Sequence, residues 1–174
     1  MKNTLCLLLT GCLIWANSCN SEGQTNTNTP APMSSGAAKL ENRFSDGIVG
    51  THDPALLNDL LSEDFVSHHF PAPGNNNKAA FTAGMEGLFA GFPDIKITRV
   101  QQVEQGDKAF TYAFWEGTQT GDFMGIPATG KKVHVEYMDI WRVKDGKICE
   151  NWVVMDIAGL LIQLGVMPPP GGGN

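Results

Sequence analysis

The 174-residue chain is 42% hydrophobic and sets 12 Lys and Arg against 18 Asp and Glu, a formal charge of −6. That length suits one domain with appendages, and that apolar share excludes a chain disordered throughout. The cationic residues are scattered without a basic run, so nucleic acid is not an expected partner.

The N-terminus has the layout of an export signal: Lys2, then an apolar stretch over 5–16 that is too short to span a bilayer. Ala16-Asn17-Ser18-Cys19 resembles a bacterial lipobox, which makes 1–18 a lipoprotein-type signal and Cys19 the lipidated mature terminus. Leu9-Thr10-Gly11-Cys12 fits that consensus better but leaves too short an apolar region. Ordinary secretory cleavage near Ala16 is the alternative. Cys6 and Cys12 would leave with the signal, so only Cys149 remains in the folded part and no intramolecular disulfide is expected. Residues 19–36 are rich in Asn, Thr, Ser, Gly and Pro and read as a flexible tether. The domain expected over 37–167 would thus sit outside the cytoplasm, at the periplasmic face or cell surface, and touch a membrane only through a lipid.

Leu40, Phe44 and Ile48 predict an amphipathic helix over 37–49. Asp53-Pro54 opens a second, shorter one with Leu56, Leu57, Leu60 and Leu61 as its apolar stripe. A short strand follows at 65–68, ended by Pro71, Pro73 and Gly74. A third helix begins after Asn77, presents Phe81, Met85, Leu88, Phe89 and Phe92, and stops at Pro93. Strands are expected over 95–104, 108–118, 131–143 and 147–155, with hairpin turns at Gly106-Asp107 and Asp145-Gly146. Strand 108–118 is apolar on both faces and is expected to be covered on both. Asp156 then opens a helix to Leu164, closed by Gly165, and 168–174 is a frayed tail. Helices first and a mostly antiparallel sheet afterwards make the fold class α+β.

Alternation sorts the strand faces. In 131–143, Val133, Val135, Tyr137, Asp139, Trp141 and Val143 share one side and form the inner face. Asp139 therefore sits among apolar neighbours, at a cost on the order of several kcal/mol unless it is partnered. In 147–155 the same reasoning puts Cys149, Asn151, Val153 and Met155 inside.

Four pieces in this order resemble the SnoaL-like polyketide cyclases: Phe92-Pro93-Asp94, the loop Gly121-Asp122-Phe123-Met124-Gly125-Ile126-Pro127-Ala128-Thr129-Gly130-Lys131, then Arg142-Val143-Lys144-Asp145-Gly146-Lys147-Ile148, and Gln163-Leu164-Gly165. The likeness runs from about residue 38 to 166. It implies the cone-shaped fold shared with nuclear transport factor two and ketosteroid isomerase, in which three N-terminal helices close a strongly bent sheet, here followed by a short C-terminal helix. It implies an intramolecular aldol closure of a polyketide ester without metal or cofactor. An acidic residue on the last strand acts there as general acid and base, with a histidine on the preceding strand assisting. Aligned on the Asp-Gly hairpin, the acid position falls on Val153 and the histidine position on Asp139. This chain departs from the family pattern at both.

Asp139 is the catalytic candidate, as a general base or acid with a raised pKa. The other account is a structural carboxylate hydrogen-bonded to Asn151 or Tyr137. His68 is assigned to the pocket wall as its helper, by likeness to family members; alternatively it is a strand-end histidine tied to a backbone carbonyl. His69, adjacent on a strand, faces the other way, so the pair cannot chelate one metal, and no metal site is expected. Trp115, Tyr137, Trp141, Asn151 and Val153 are the substrate-binding candidates, with plain core packing as the alternative for the aromatics. Asp156 reads best as a helix cap and Cys149 as a small buried hydrophobe. Three functions follow: acid/base chemistry of cyclase or isomerase type on a small hydrophobic carbonyl or ester; binding of such a molecule at the cell envelope without turnover; or a homodimeric interaction module using Met138, Ile140, Trp152 and Val154 on the outer sheet face.

Overall fold

The computed structural model describes residues 35–69 and 76–171. The signal, Cys19, the tether up to residue 34, the turn residues Pro71, Pro73 and Gly74, and the last three residues of the tail lie outside them.

The first helix, α1 (Ala37–Asn42), passes without a break into a π-helical stretch, Arg43–Val49, which buries Phe44, Ile48 and Val49. The Asp53 side chain accepts the Ala55 N–H at 3.0 Å and starts a 3-10 turn, Pro54–Leu56, that leads into α2 (Leu57–Leu60). The expected leucine stripe divides here: Leu57 and Leu60 are buried, Leu56 is exposed, and Leu61 already belongs to β1 (Leu61–Ser67). Helix α3 (Lys78–Gly91) is capped by the Asn77 side chain, which accepts the Ala80 N–H at 2.9 Å, and it buries Phe81, Met85, Leu88 and Phe89. Helix α4 (Ile157–Leu164) is capped by Asp156, whose carboxylate accepts the Gly159 N–H at 2.8 Å. Gly165 ends it with φ +77°, a left-handed position that suits glycine.

Four more strands complete the sheet: β2 (Lys96–Gln105), β3 (Lys108–Thr118), β4 (Lys132–Lys144) and β5 (Lys147–Met155). Their order is β1-β5-β4-β3-β2, antiparallel throughout except for the parallel pair β1 and β5. The sheet is curved and unclosed, and with its helices it has the cone architecture expected. The β4–β5 turn carries Asp145 and Gly146 at φ 53° and 74°, the backbone that matches strand twist in a two-residue hairpin. The inner face of β4 is as alternation predicts, with Val133, Val135, Tyr137, Asp139, Trp141 and Val143 all buried. In β3, only the inner face is fully covered. Phe110, Tyr112 and Phe114 on the other are half-buried, lying along the sheet against cross-strand neighbours, as Phe114 does on His134.

The pairing is irregular in three places, between Leu61 and Val66 in β1, in β2 and in β5, and the last two are bulges that change which side chains face inward. In β2 the pairing shifts between Arg99 and Gln101, leaving Val100 as the extra, exposed residue, so that Arg99 and Gln102 both turn inward. In β5 the ladder steps from Ile148 to Glu150, and Cys149 is the extra residue. Strict alternation placed Cys149 on the inner face. The bulge instead gives that place to Ile148 and leaves the Cys149 thiol buried against the Arg142 carbonyl at 3.4 Å. Among the described residues no helix is long and apolar enough to cross a membrane.

Candidate functional site

The inner faces of β4 and β5 meet α3 and the π-helical stretch around a cavity of about 60 Å³. Its walls are apolar (Phe44, Phe81, Met85, Leu88 and Trp141 among them) except for Tyr137, Asp139 and Asn151. A larger groove of about 480 Å³ opens beside it, between α3, the 122–124 loop and the end of β5. Cavity and groove have Leu88, Val153 and Met155 in common as walls.

Asp139 is 4% exposed. Two residues on along β4 and on the same face, Trp141 turns its indole N–H back to donate to Asp139 Oδ2 at 2.7 Å. The other oxygen, Oδ1, is buried without a hydrogen-bond partner. Burial pushes the Asp139 pKa up to about 8; the Trp141 hydrogen bond opposes this, the Glu41 charge adds to it, and Arg99 and Thr111 oppose it more weakly. Burial, reinforced by Asp139 and Glu41, also raises the Tyr137 phenol well above its ordinary value. Tyr137 therefore keeps its proton and can donate.

Asn151 is occupied elsewhere. Its side-chain oxygen accepts the Ser67 hydroxyl at 3.3 Å and its amide donates to the Ile140 carbonyl at 3.4 Å. In place of the pairing with Asn151 or Tyr137 that the structural account offered, the donor to Asp139 is the indole N–H of Trp141. Val153 stands directly across the β4–β5 ladder from Asp139.

Five of the seven residues singled out in the sequence (Tyr137, Asp139, Trp141, Asn151 and Val153) line this one cavity. His68 does not. Ser67 takes the inward position at the end of β1, so His68 turns to the outer face, where its ring stacks on Trp152 at 4.5 Å and its Nε2 lies 3.6 Å from Glu150. It is His69 that reaches the rim of the groove. Trp115 is absent from the cavity wall as well: it is a core residue, packed edge-on against Phe92 at 5.0 Å. Among the described residues no group of three or more His, Cys, Asp or Glu is placed to hold a metal ion.

The sequence reading passed over a second buried carboxylate, Glu41 on α1, which is 1% exposed. It accepts the Ser45 hydroxyl at 2.6 Å and the Gln102 side-chain amide, and its Oε2 lies 3.4 Å from Arg99 Nε. The signal was present, since Glu41 falls beside Leu40 and one turn before Phe44 and Ser45 on a helix that must bury a face.

A family model of the SnoaL-like polyketide cyclases matches residues 39–164. Among solved structures, TsrD from Streptomyces laurentii is 28% identical with a TM-score of 0.67 over 75% of this chain and 95% of its own. IdmH from Streptomyces antibioticus is 27% identical with a TM-score of 0.64 over 74% of this chain and 98% of its own. A protein from Jannaschia sp. CCS1, classed as a SnoaL-like polyketide cyclase, shares the fold with a TM-score of 0.71 at 22% identity, over 84% of this chain and all of its own. A comparison with curated proteins found no match.

Proposed function

The chain belongs to the SnoaL-like polyketide cyclase family, and from that membership we propose that it performs acid/base chemistry, of cyclase or isomerase type, on a small hydrophobic carbonyl or ester compound. One observation carries this reading. Asp139 lines the cavity with one carboxylate oxygen unpartnered and a pKa pushed up to about 8. A buried acid poised near neutrality is what proton transfer at carbon calls for. By the family likeness the usual acid belongs at Val153, and Asp139 is its cross-strand partner. The carboxylate has moved one strand over but faces the same cavity.

In the reaction, the ionised form of Asp139 takes a proton from the carbon next to the carbonyl, and the C–H electron pair becomes an enolate. The Tyr137 hydroxyl donates a hydrogen bond to the developing oxyanion. The enolate then either attacks a second carbonyl of the same molecule, forming the C–C bond that closes the ring while the resulting alkoxide takes the proton from Asp139, or regains that proton at another carbon. Base and donor are both side chains, so the scheme draws on no cofactor. The cavity admits only the reacting end of a ligand, and the adjoining groove takes the remainder.

Solvent-deuterium incorporation into enolisable aryl ketones and esters tests this, with the full-length chain beside Asp139→Asn. The wild type is expected to exchange the α-hydrogen and the variant to lose about 100-fold or more of that rate. Ligand-dependent stabilisation in both proteins without exchange in either would instead make the protein a non-catalytic binder.

Two further parts of the reading rest on other residues. The outer sheet face leaves Val154 70% and Met138 49% exposed beside half-buried Ile140 and Trp152, which supports a homodimer formed through that face. Export on a lipid-bearing Cys19 rests on residues 1–19 of the sequence. Radiolabelled palmitate incorporation that disappears in Cys19→Ala is its check.

A further inference from the structure

The bulge in β2 builds something that a regular strand could not. Arg99 and Gln102 are three residues apart and would fall on opposite faces, but the extra residue Val100 turns both inward onto α1. There they meet Glu41. Gln102 Nε2 contacts the Glu41 carboxylate, lies 3.1 Å from Asn42 Oδ1 and 3.3 Å from Thr111 Oγ1. Thr111 is the cross-strand partner of Asp139. One turn along the same helix, the Phe44 ring packs 4.7 Å from the ring of Trp141, the residue that holds Asp139 Oδ2. A single helix thus clamps both supports of Asp139, the indole donor on one side and the threonine strand on the other.

We propose that Glu41 is a positioning residue for Asp139: a buried carboxylate, balanced by Arg99 and tied through Gln102 to Thr111, that holds a negative charge behind the cavity and sets the proton affinity of the catalytic candidate. Glu41 is not among the residues that line the cavity. The groups packed around Asp139 leave few other charges to do this. Its own strand offers Tyr137 and Trp141, β3 offers Thr111, β5 offers Val153, and α3 offers Phe81 and Met85. Charge comes from Glu41 on α1 and Arg99 on β2, with Asp46 3.5 Å from the far side of that guanidinium. The two charges act on Asp139 in opposite directions, Glu41 raising its pKa and Arg99 lowering it.

The proposal rests on the reading of Asp139 as the proton-transfer group, and the test separates the two. The full-length chain is labelled with carboxyl-13C aspartate, and the Asp139 signal is identified by its loss in Asp139→Asn and followed against pH. Glu41→Gln keeps the shape and most hydrogen bonds and is expected to move the midpoint down. Arg99→Gln is expected to move it up. Packing damage would displace both the same way, so shifts of one sign, or none, overturn the proposal while leaving the role of Asp139 intact. A wild-type signal that titrates in the ordinary aspartate range instead overturns the acid/base reading and this proposal with it. If Glu41→Gln does not fold, Arg99→Gln is read instead: it gives up an ion pair with Glu41 and a hydrogen bond to Asp46 at a side chain that is partly exposed, and an upward shift is still required. An unmoved midpoint there is again a refutation.

Discussion

Asp139 makes its own pH signature in stability. Its native pKa of about 8 stands above the ordinary aspartate value of 3.8. Between those values the folded protein keeps a proton that the unfolded chain has lost, so stability falls as pH rises through this window and levels off beyond it. Asp139→Asn removes that slope. Urea unfolding of both proteins at pH 4.5 and 8.5 should show the wild type losing ground to the variant by on the order of a few kcal/mol between the two conditions. Parallel behaviour of the two would mean that Asp139 is ionised throughout. At this scale much was readable. A carboxylate at the centre of an apolar alternation is conspicuous, and Tyr137 and Trp141 flank it on the same face by simple counting. The donor that satisfies it was not readable, because Tyr137, Trp141 and Asn151 were all within reach and only the indole takes the geometry. His68 and His69 show how little margin there is. Which way His68 turns depends on strand phase, and the phase is fixed by Ser67, whose hydroxyl pairs with Asn151.

Elements were legible wherever a local signal marks their ends. Asn77 and Asp156 cap the helices that they were expected to cap, Gly165 closes the last helix, and both Gly-Asp and Asp-Gly turns form hairpins. Bulges carry no such mark: the one in β5 overturned the inner-face assignment of Cys149, and the one in β2 turns Arg99 and Gln102 inward together, a pairing that alternation does not offer. The 121–130 loop is a further case of contacts outranking local pattern. Its Gly125 and Gly130 have positive φ with open space around them, whereas a Cβ on Gly121 would lie 2.2 Å from the Ala90 carbonyl at the end of α3. The same approach lets the Thr120 and Gly121 N–H groups donate to the Gly91 carbonyl. Gly121→Ala must therefore push the loop off α3, at the wall of the groove, and is expected to cost about 1–3 kcal/mol as an overpacking defect. Gly125→Ala pays only for its backbone angle, roughly 1 kcal/mol. Thermal melts of the two variants rank them, and equal losses would mean that the loop is free to give way.

At the level of the whole molecule, the outer sheet face makes the clearest demand. Met138 and Val154 are exposed on a face that also carries Ile140 and Trp152, and the homodimer proposed above would cover this apolar surface. Ile140→Glu places a charge in the middle of it and should yield a monomer by light scattering with cavity chemistry retained. A wild type that is already monomeric at micromolar concentration would dispose of this interface. The sequence by itself determined the order and kind of the elements, the inner face of β4, the family and the residue at the heart of the cavity. These follow from periodicity, caps and turns, which act over a few residues and leave their trace locally. Tertiary structure alone decided that Trp115 is core, that His68 faces outward, and that Glu41, Arg99 and Gln102 converge behind Asp139. Those outcomes depend on two bulges and on which strand lies beside which, and inter-strand register is set by packing between segments far apart in the chain.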